Sequence, residues 1–209
     1  MFLFVCLMTQ GPQADTLYIR PIARPPAPET SIDSAHLGPP RIRLRTGQGT
    51  AQIWLLRARD TVFLAARIPD STHYWGDDFV VSLDTDGDGA ASPQHDDFQL
   101  YFRRVLDSSV VYRGRYGRWE PPRDDPDWRL GSERAGGGWE VSANDGARGW
   151  TILVRLDPAW FAGESGRWSR FAFRIYDDSP GGWFSWPSPP TGAPPTTVER
   201  APSLWAPVR

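Results

Sequence analysis

The clearest indication of the fold class is the segment Phe79-Val80-Val81-Ser82-Leu83-Asp84-Thr85-Asp86-Gly87-Asp88-Gly89. Its apolar residues Phe79, Val81 and Leu83 occupy every second position, which is the spacing of side chains on one face of a β-strand. The aspartates and glycines that follow are typical of a tight loop. The stretch therefore predicts a strand with one buried face that ends in an acidic loop.

The same period of two recurs along most of the chain. A short Ala-Arg-Asp connection joins residues 52–57 to the alternating residues 61–68, which predicts a hairpin. Further alternating segments are residues 98–102, 139–141, 150–156 and 171–175. With 21 prolines and 20 glycines in 209 residues, the pattern favours short strands. We predict an all-β fold, an antiparallel β-sandwich of jelly-roll or immunoglobulin-like type, with at most one short helical turn, at residues 157–161.

The chain length fits one compact domain with short extensions at both ends. Residues 1–14 contain an apolar run that is too short to span a membrane and resembles a signal peptide, which predicts a secreted or periplasmic protein. Residues 15–29 are expected to form an edge strand and a proline-rich lead-in, and residues 30–190 the β-sandwich. The proline-rich C-terminal tail, residues 191–209, is expected either to follow the surface or to be loosely ordered.

Composition argues against several classes of function. The formal net charge of −2 offers no basic field for a nucleic acid. All 23 basic residues are arginine, so lysine Schiff-base chemistry and a phosphate-loop lysine are excluded. The only cysteine, Cys6, lies in the apolar leader, which leaves the mature domain without an internal disulfide or a cysteine metal site.

The sequence gives little support to catalysis. It contains no nucleophile elbow, zinc-protease motif or phosphate loop. The adjacent carboxylates Asp77 and Asp78 point to opposite faces of a strand, whereas a glycosidase needs two carboxylates that flank one bond. We therefore expect a protein that is not an enzyme.

The acidic loop is a candidate calcium site. Asp84, Asp86 and Asp88 alternate, and interleaved glycines allow a tight loop to turn successive carboxylates onto one cation. Asp96 and Asp97 follow downstream and complete the candidate ligand set. The loop is not an EF-hand, because predicted strands flank it and a histidine replaces the glutamate at its twelfth position. The alternative is a solvated turn that binds no metal.

The eleven tryptophans are more than one small core needs. Trp75, Trp183 and Trp186 are predicted beside strand ends, where an indole ring can stack on the C–H face of a sugar. Gln99, Tyr101 and Arg103 share the non-core face of their strand, and Arg155 and Arg174 are similarly placed on later strands. Such a face could bind a polyhydroxylated ligand, and Gln99 and Arg103 are predicted to hydrogen-bond sugar hydroxyl groups. The alternative is that each tryptophan packs over the edge of the sandwich.

The order of these motifs is similar to that of the family 9 carbohydrate-binding modules over residues 30–190. The segments that carry the resemblance are Ile32-Asp33, the hairpin ending in Leu64-Ala65-Ala66-Arg67-Ile68-Pro69-Asp70, Trp75-Gly76-Asp77-Asp78-Phe79-Val80-Val81-Ser82-Leu83-Asp84 with its acidic loop, Asp97-Phe98-Gln99-Leu100-Tyr101-Phe102, Gly149-Trp150-Thr151-Ile152-Leu153-Val154-Arg155-Leu156 and Ile175-Tyr176-Asp177-Asp178. The chain departs from the family pattern at Ser34, where the family has glycine, and at Asp177, where it has asparagine. The family's tryptophan shortly after the opening motif is also missing.

The resemblance implies an antiparallel sandwich with structural calcium and a terminal sugar clamped between two tryptophans. One clamp residue is expected near Trp75 and the other near Trp183 or Trp186. The resemblance also implies an acidic partner of the sugar at Asp77 and a basic partner at Arg103.

We therefore predict non-catalytic binding of an oligosaccharide or polysaccharide, with a separate glycan-degrading enzyme as a further candidate partner. The main alternative is a structural or protein-interaction sandwich that has lost the sugar site. A haem-binding sandwich and a glycoside hydrolase are weaker alternatives. Haem would have to be bound by His36, His73 or His95, because lysine is absent and both methionines lie in the leader.

Overall fold

Two β-sheets pack face to face in the computed structural model and enclose one main apolar core. The structure describes residues 16–27, 32–72, 74, 76–104, 110–121, 139–156, 169–177 and 182–209, with the backbone alone for 139–140. The expected leader lies outside the described residues, as does the helical turn expected at residues 157–161. The predicted all-β sandwich is confirmed.

The first sheet has six strands within the described residues, in the order β1-β3-β4-β10-β9, and β2 also pairs with β3. All pairings are antiparallel except that of β1 with β3. The predicted hairpin is formed by β3 and β4. The strands are β1 (Arg20–Pro21), β2 (Ile42–Arg45), β3 (Thr50–Ala58), β4 (Thr61–Pro69), β9 (Trp139–Gly146) and β10 (Gly149–Leu156).

The second sheet has seven strands in the described part of the chain, in the order β12-β11-β5-β6-β7-β8, and β13 also pairs with β11. Every pairing in it is antiparallel. The strands are β5 (Asp78–Asp84), β6 (Asp97–Arg103), β7 (Val110–Arg115), β8 (Arg118–Glu120), β11 (Arg170–Asp177), β12 (Gly182–Trp186) and β13 (Ala206–Pro207).

The alternating residues identified in the sequence form the core between the sheets. Phe79, Val81 and Leu83 are fully buried there. The Phe79 ring stacks on Phe102 from β6 and on Phe173 from β11, with ring centroids 6.3 and 5.8 Å apart. Burying one such side chain contributes roughly 1.5–3 kcal/mol, so this central row is a main source of the sandwich's stability.

Short helices are more numerous than the single turn expected from the sequence. Helix α1 (Ser34–Leu37) begins after Asp33, whose carboxylate accepts hydrogen bonds from the backbone N–H groups of Ala35 and His36. This is an ordinary N-cap. Helix α2 (Thr196–Arg200) and a 3₁₀ turn (Pro202–Leu204) lie in the C-terminal tail. Pro195 precedes α2, and Pro202 is the first residue of the 3₁₀ turn. Proline pre-sets a helical φ at the start of a turn.

The tail packs against the sandwich. Val198 and Trp205 are buried against Ala172, on the side of the seven-stranded sheet that faces away from the core. Trp119 stacks on Trp205 with ring centroids 6.3 Å apart. The backbone of Arg209 donates to the carbonyl of Leu17, which joins the two ends of the described chain. No helix in the described ranges is long and apolar enough to cross a membrane.

Candidate functional site

The candidate site lies on the outer face of the seven-stranded sheet, away from the core. Phe79 and Phe102 point into the core. Since side chains alternate along a strand, their neighbours Asp78, Tyr101 and Arg103 lie on the opposite face. Asp78 is directly opposite Arg103 in the register of β5 and β6, and 3.5 Å separate the Asp78 Oδ1 and Arg103 Nε atoms.

The neighbouring strands add an arginine and an indole ring to this face. Arg174 of β11 is opposite Ser185 of β12, and Tyr176 is opposite Trp183. The guanidinium of Arg174 lies over the Trp183 ring, 4.5 Å from its centroid. We call Asp78, Tyr101, Arg103, Arg174 and Trp183 the outer-face cluster. It extends over four adjacent strands, a width of roughly 14 Å.

Arg174 is the central residue of this cluster and is only 1% exposed. One of its terminal nitrogens donates to the Tyr101 hydroxyl at 3.2 Å. The other donates to the Glu199 carboxylate of α2 at 2.6 Å. These contacts offset the free-energy cost of burying the charge and fix the plane of the guanidinium.

Several buried polar atoms of this face have no hydrogen-bond partner within the described part of the chain. Among them are Arg174 Nε, Ser185 Oγ and Asp78 Oδ1. A buried polar atom without a partner is costly, so such a group is expected to meet another polar molecule. The three atoms thus offer a donor, a hydroxyl and an acceptor beside one indole ring.

The outer face carries both acidic and basic groups. Burial raises the pKa of Asp78 to about 6, and the charge of Asp77 acts in the same direction. The guanidinium groups of Arg103 and Arg174 oppose this rise. Burial also raises the pKa of the Tyr101 hydroxyl, which therefore stays protonated and able to donate. The surface can donate and accept hydrogen bonds at neutral pH.

Asp77 does not lie on this surface. It is fully buried on the other side of the strand start, where its carboxylate accepts from the Tyr74 backbone at 3.0 Å and from Arg104 at 3.2 Å. Arg104 also binds Asp145 at 2.5 Å and lies 3.4 Å from Asp70. Burial, reinforced by the nearby Asp70, raises the pKa of Asp77 to about 6. This network connects strand ends of both sheets.

The structure separates the other predicted sugar contacts. Gln99 is 1% exposed, and its amide donates to Ser82 across the sheet at 3.4 Å. Trp186 packs on Phe173 and partly joins the core. Trp75 lies outside the described residues. Of the predicted sugar contacts, the structure therefore brings Arg103 and Trp183 onto one surface.

Four of the five predicted metal ligands converge in the acidic loop. One carboxylate oxygen each from Asp84, Asp86, Asp88 and Asp96 lies within 4.8 Å of the others. Calcium binds oxygens at 2.3–2.6 Å, so two ligands of one ion lie at most about 5 Å apart. Gly87 and Gly89 adopt φ of 73° and 63°, and their N–H groups both donate to Asp84. The loop geometry fits a hard cation.

Asp97 lies beside this cluster and is opposite Asp84 in the sheet register. Its Oδ2 accepts from the Gln94 N–H at 2.7 Å, whereas its Oδ1 is buried with no hydrogen-bond partner in the described part of the chain. Burial, and then the charges of the neighbouring aspartates, raises the pKa of Asp97 to about 8. The same two causes raise the pKa of Asp84 to about 6. A cation would relieve this repulsion.

Strand parity placed Tyr101 and Arg174 on polar sheet faces, but sequence reasoning did not select Asp78 or Glu199. Asp78 could have been found from the same parity, because it alternates with the core residue Phe79. Glu199 carries no such signal, since it comes from the tail and reaches Arg174 only in the folded molecule.

Comparisons with known proteins agree with the architecture. No protein-family model and no curated protein matches the chain. A family 9 carbohydrate-binding module from Caldicellulosiruptor kristjanssonii, solved in complex with glucose, matches with a TM-score of 0.59 at 16% identity. The match covers 93% of this chain and 95% of that chain. A structure of such a module from the same organism with cellotriose matches with a TM-score of 0.58 at 15% identity, covering 93% of both chains. The chain thus has the fold of these modules, as its motifs indicated.

Proposed function

We propose that this sandwich is a non-catalytic carbohydrate-binding module that binds a sugar on the outer-face cluster. The observation that carries the proposal is a group of buried polar atoms that have no hydrogen-bond partner in the described part of the chain, Arg174 Nε, Ser185 Oγ and Asp78 Oδ1, beside the Trp183 ring. A sugar ring has hydroxyl groups around its edge and apolar C–H faces. Its chemistry therefore matches this combination of polar atoms and indole.

Each residue has a distinct part in the proposed complex. Trp183 offers apolar surface to a C–H face of the sugar. Arg174 and Arg103 donate to hydroxyl oxygens, and Asp78 accepts from a hydroxyl group. Glu199 and Tyr101 hold the Arg174 guanidinium in place before the ligand arrives, which lowers the ordering cost of binding. The glucose and cellotriose in the two similar structures support a saccharide ligand.

We also propose a structural calcium ion in the acidic loop. Asp84, Asp86, Asp88 and Asp96 would hold it, with Asp97 as a neighbouring carboxylate. The ion would neutralise the carboxylates and fix the β5–β6 connection, whose strands form the floor of the outer-face cluster. It would have no part in sugar chemistry.

A second candidate function is that of a structural or protein-interaction sandwich. The contact of Glu199 with Arg174 favours this alternative, because a carboxylate of the chain itself already accepts a hydrogen bond from one terminal nitrogen of the arginine. In that case the remaining polar atoms of the face would bind no sugar.

Calorimetric titration with glucose and cellotriose tests the two candidates. We expect binding to the natural chain and a loss of about tenfold or more in affinity for Trp183→Ala, since aromatic anchors dominate such sites. Tyr116→Ala is the matched control, because this exposed aromatic residue lies on the β7–β8 turn of the same sheet. No binding to the natural chain would favour the structural alternative. Equal affinities of the two variants for the sugar would show that it binds away from the outer-face cluster.

A further inference from the structure

A large open cavity lies on the opposite side of the molecule, over the outer face of the six-stranded sheet. Its volume is about 710 Å³. Its floor includes one row of side chains in register across four strands, Gln52, Arg67, Thr151 and Asn144. Their chain neighbours, such as Ile53, point into the core, so this row points away from it.

Two arginines line the cavity among the described residues. Arg67 in the row and Arg148 in the β9–β10 turn are both exposed, and neither guanidinium has a hydrogen bond or ion pair within the described part of the chain. Arg43, exposed on β2 and in register with Gln52, extends the positive charge along the same row. Unpaired arginines in register on one sheet face form an anion-binding surface.

Two carboxylates line the cavity in the described part of the chain, and both already have partners. Asp145 accepts two hydrogen bonds from Arg104, at 2.5 and 2.8 Å. Asp33 caps helix α1 and contacts the His36 ring at 2.9 Å. The charged groups that remain available to a ligand are therefore the arginines. The uncharged members of the floor, Gln52, Thr151 and Asn144, have side chains of the kind that hydrogen-bond hydroxyl groups.

We propose that this cavity is a second ligand site that binds a saccharide residue carrying a carboxylate. The planar fork of Arg67 matches a carboxylate through two parallel hydrogen bonds. The amide and hydroxyl side chains of the same row bind the hydroxyl groups of the ring. The site is separated from the outer-face cluster by both sheets, so it does not depend on the function proposed for that cluster.

Calorimetric titration with trigalacturonic acid tests the site, with cellotriose as the uncharged comparison. Three variants are compared: Arg67→Gln removes the charge, Arg67→Lys keeps the charge without the fork, and Arg118→Gln removes another exposed arginine, from the seven-stranded sheet. The far-ultraviolet circular dichroism spectrum and melting temperature of each variant establish that it is folded. Trp183→Ala is titrated with the same acid to separate the two proposed sites.

We expect trigalacturonic acid to bind, with affinity that falls about tenfold or more in Arg67→Gln and by a smaller factor in Arg67→Lys. Arg118→Gln and Trp183→Ala should bind it like the natural chain. Absence of binding to the natural chain overturns the proposal. Equal losses in Arg67→Gln and Arg118→Gln also overturn it, because they would reveal general charge attraction. If Trp183→Ala alone abolished binding, the acid would occupy the outer-face cluster instead.

Discussion

Asp78 is a carboxylic acid held in a largely buried position between basic side chains. Its folded-state pKa is raised to about 6 from the ordinary value of 3.8, mainly by burial. The folded protein therefore holds this proton more tightly than the unfolded chain does. The stabilisation that results is fully present below about pH 4 and is lost as the pH rises towards 6.

We predict that Asp78→Asn removes this part of the pH dependence. Relative to the natural chain, the variant should gain on the order of 1–3 kcal/mol of unfolding free energy between pH 4 and pH 6. Urea denaturation of both proteins at pH 4, 5, 6 and 7 measures the difference. Other aspartates whose pKa is raised titrate alike in both proteins. Parallel curves of unfolding free energy against pH for the two proteins would therefore contradict the role of Asp78.

Strand parity explains which site residues can be identified from the sequence. Asp77 and Asp78 differ by one position, and the core residue Phe79 places Asp78 on the outer face and Asp77 inside. Trp183 and Trp186 differ by three positions, so they point to opposite sides of β12. Gln99 has the parity of the outer face, yet it is buried. It lies in register with Ser82 and Ala172, and the C-terminal tail packs against Ala172. Parity is visible in the sequence, whereas coverage by a distant segment is not.

Among the elements, the Arg104 network connects the ends of strands in both sheets. Arg104 follows β6, Asp70 follows β4, Asp77 precedes β5 and Asp145 lies in β9. The Arg104 side chain is 3% exposed, so removing it leaves the buried carboxylates of Asp70 and Asp77 without their cation. Breaking a buried ion pair in this way costs about 3–5 kcal/mol.

We predict that Arg104→Met lowers the unfolding free energy by about that amount. Arg115→Met is the matched control, because Arg115 pairs with Glu120 at 3.7 Å on the surface, where an ion pair contributes at most about 1 kcal/mol. Chemical denaturation of both variants at pH 7 gives the comparison. Similar losses in the two would show that the network does not stabilise the fold.

The acidic loop holds the proposed calcium site. We predict that calcium raises the melting temperature and that a chelator lowers it to the metal-free value. Asp86→Asn should weaken this response by removing one of four converging carboxylates. Asp60→Asn, in the exposed β3–β4 turn, should leave it unchanged. A melting temperature that does not respond to calcium in the natural chain would exclude the structural ion.

The elements themselves were largely predictable, because strands with a buried face carry a strong period of two. The β3–β4 hairpin and strands β5, β6, β10 and β11 follow the alternating segments closely. The short helices were harder to predict. Helix α1 has four residues and α2 has five, too few for a helical period to emerge from the sequence. Their positions depend on caps and on packing against the sheets.

At the scale of the whole molecule, the tail joins the two ends of the described chain and covers part of the outer face. Trp205 is 1% exposed, stacks on Trp119 and donates to the Val198 carbonyl at 2.6 Å. The sequence shows only a stretch rich in proline, which is typical of a surface segment. What the composition does not reveal is that Val198, Trp205 and Val208 are buried against the sandwich.

We predict that Trp205→Ala lowers the unfolding free energy by about 3–5 kcal/mol, the usual cost of removing a large buried aromatic side chain. Trp183→Ala should change it much less, because Trp183 is only partly buried at the edge strand β12. Urea denaturation followed by tryptophan fluorescence and by circular dichroism measures both variants. If the tail is part of one cooperative unit, the two signals of each variant should change together. Stability of Trp205→Ala equal to that of the natural chain would show that the tail adds nothing to the fold. The role of Glu199 in holding Arg174 would then lose its structural basis.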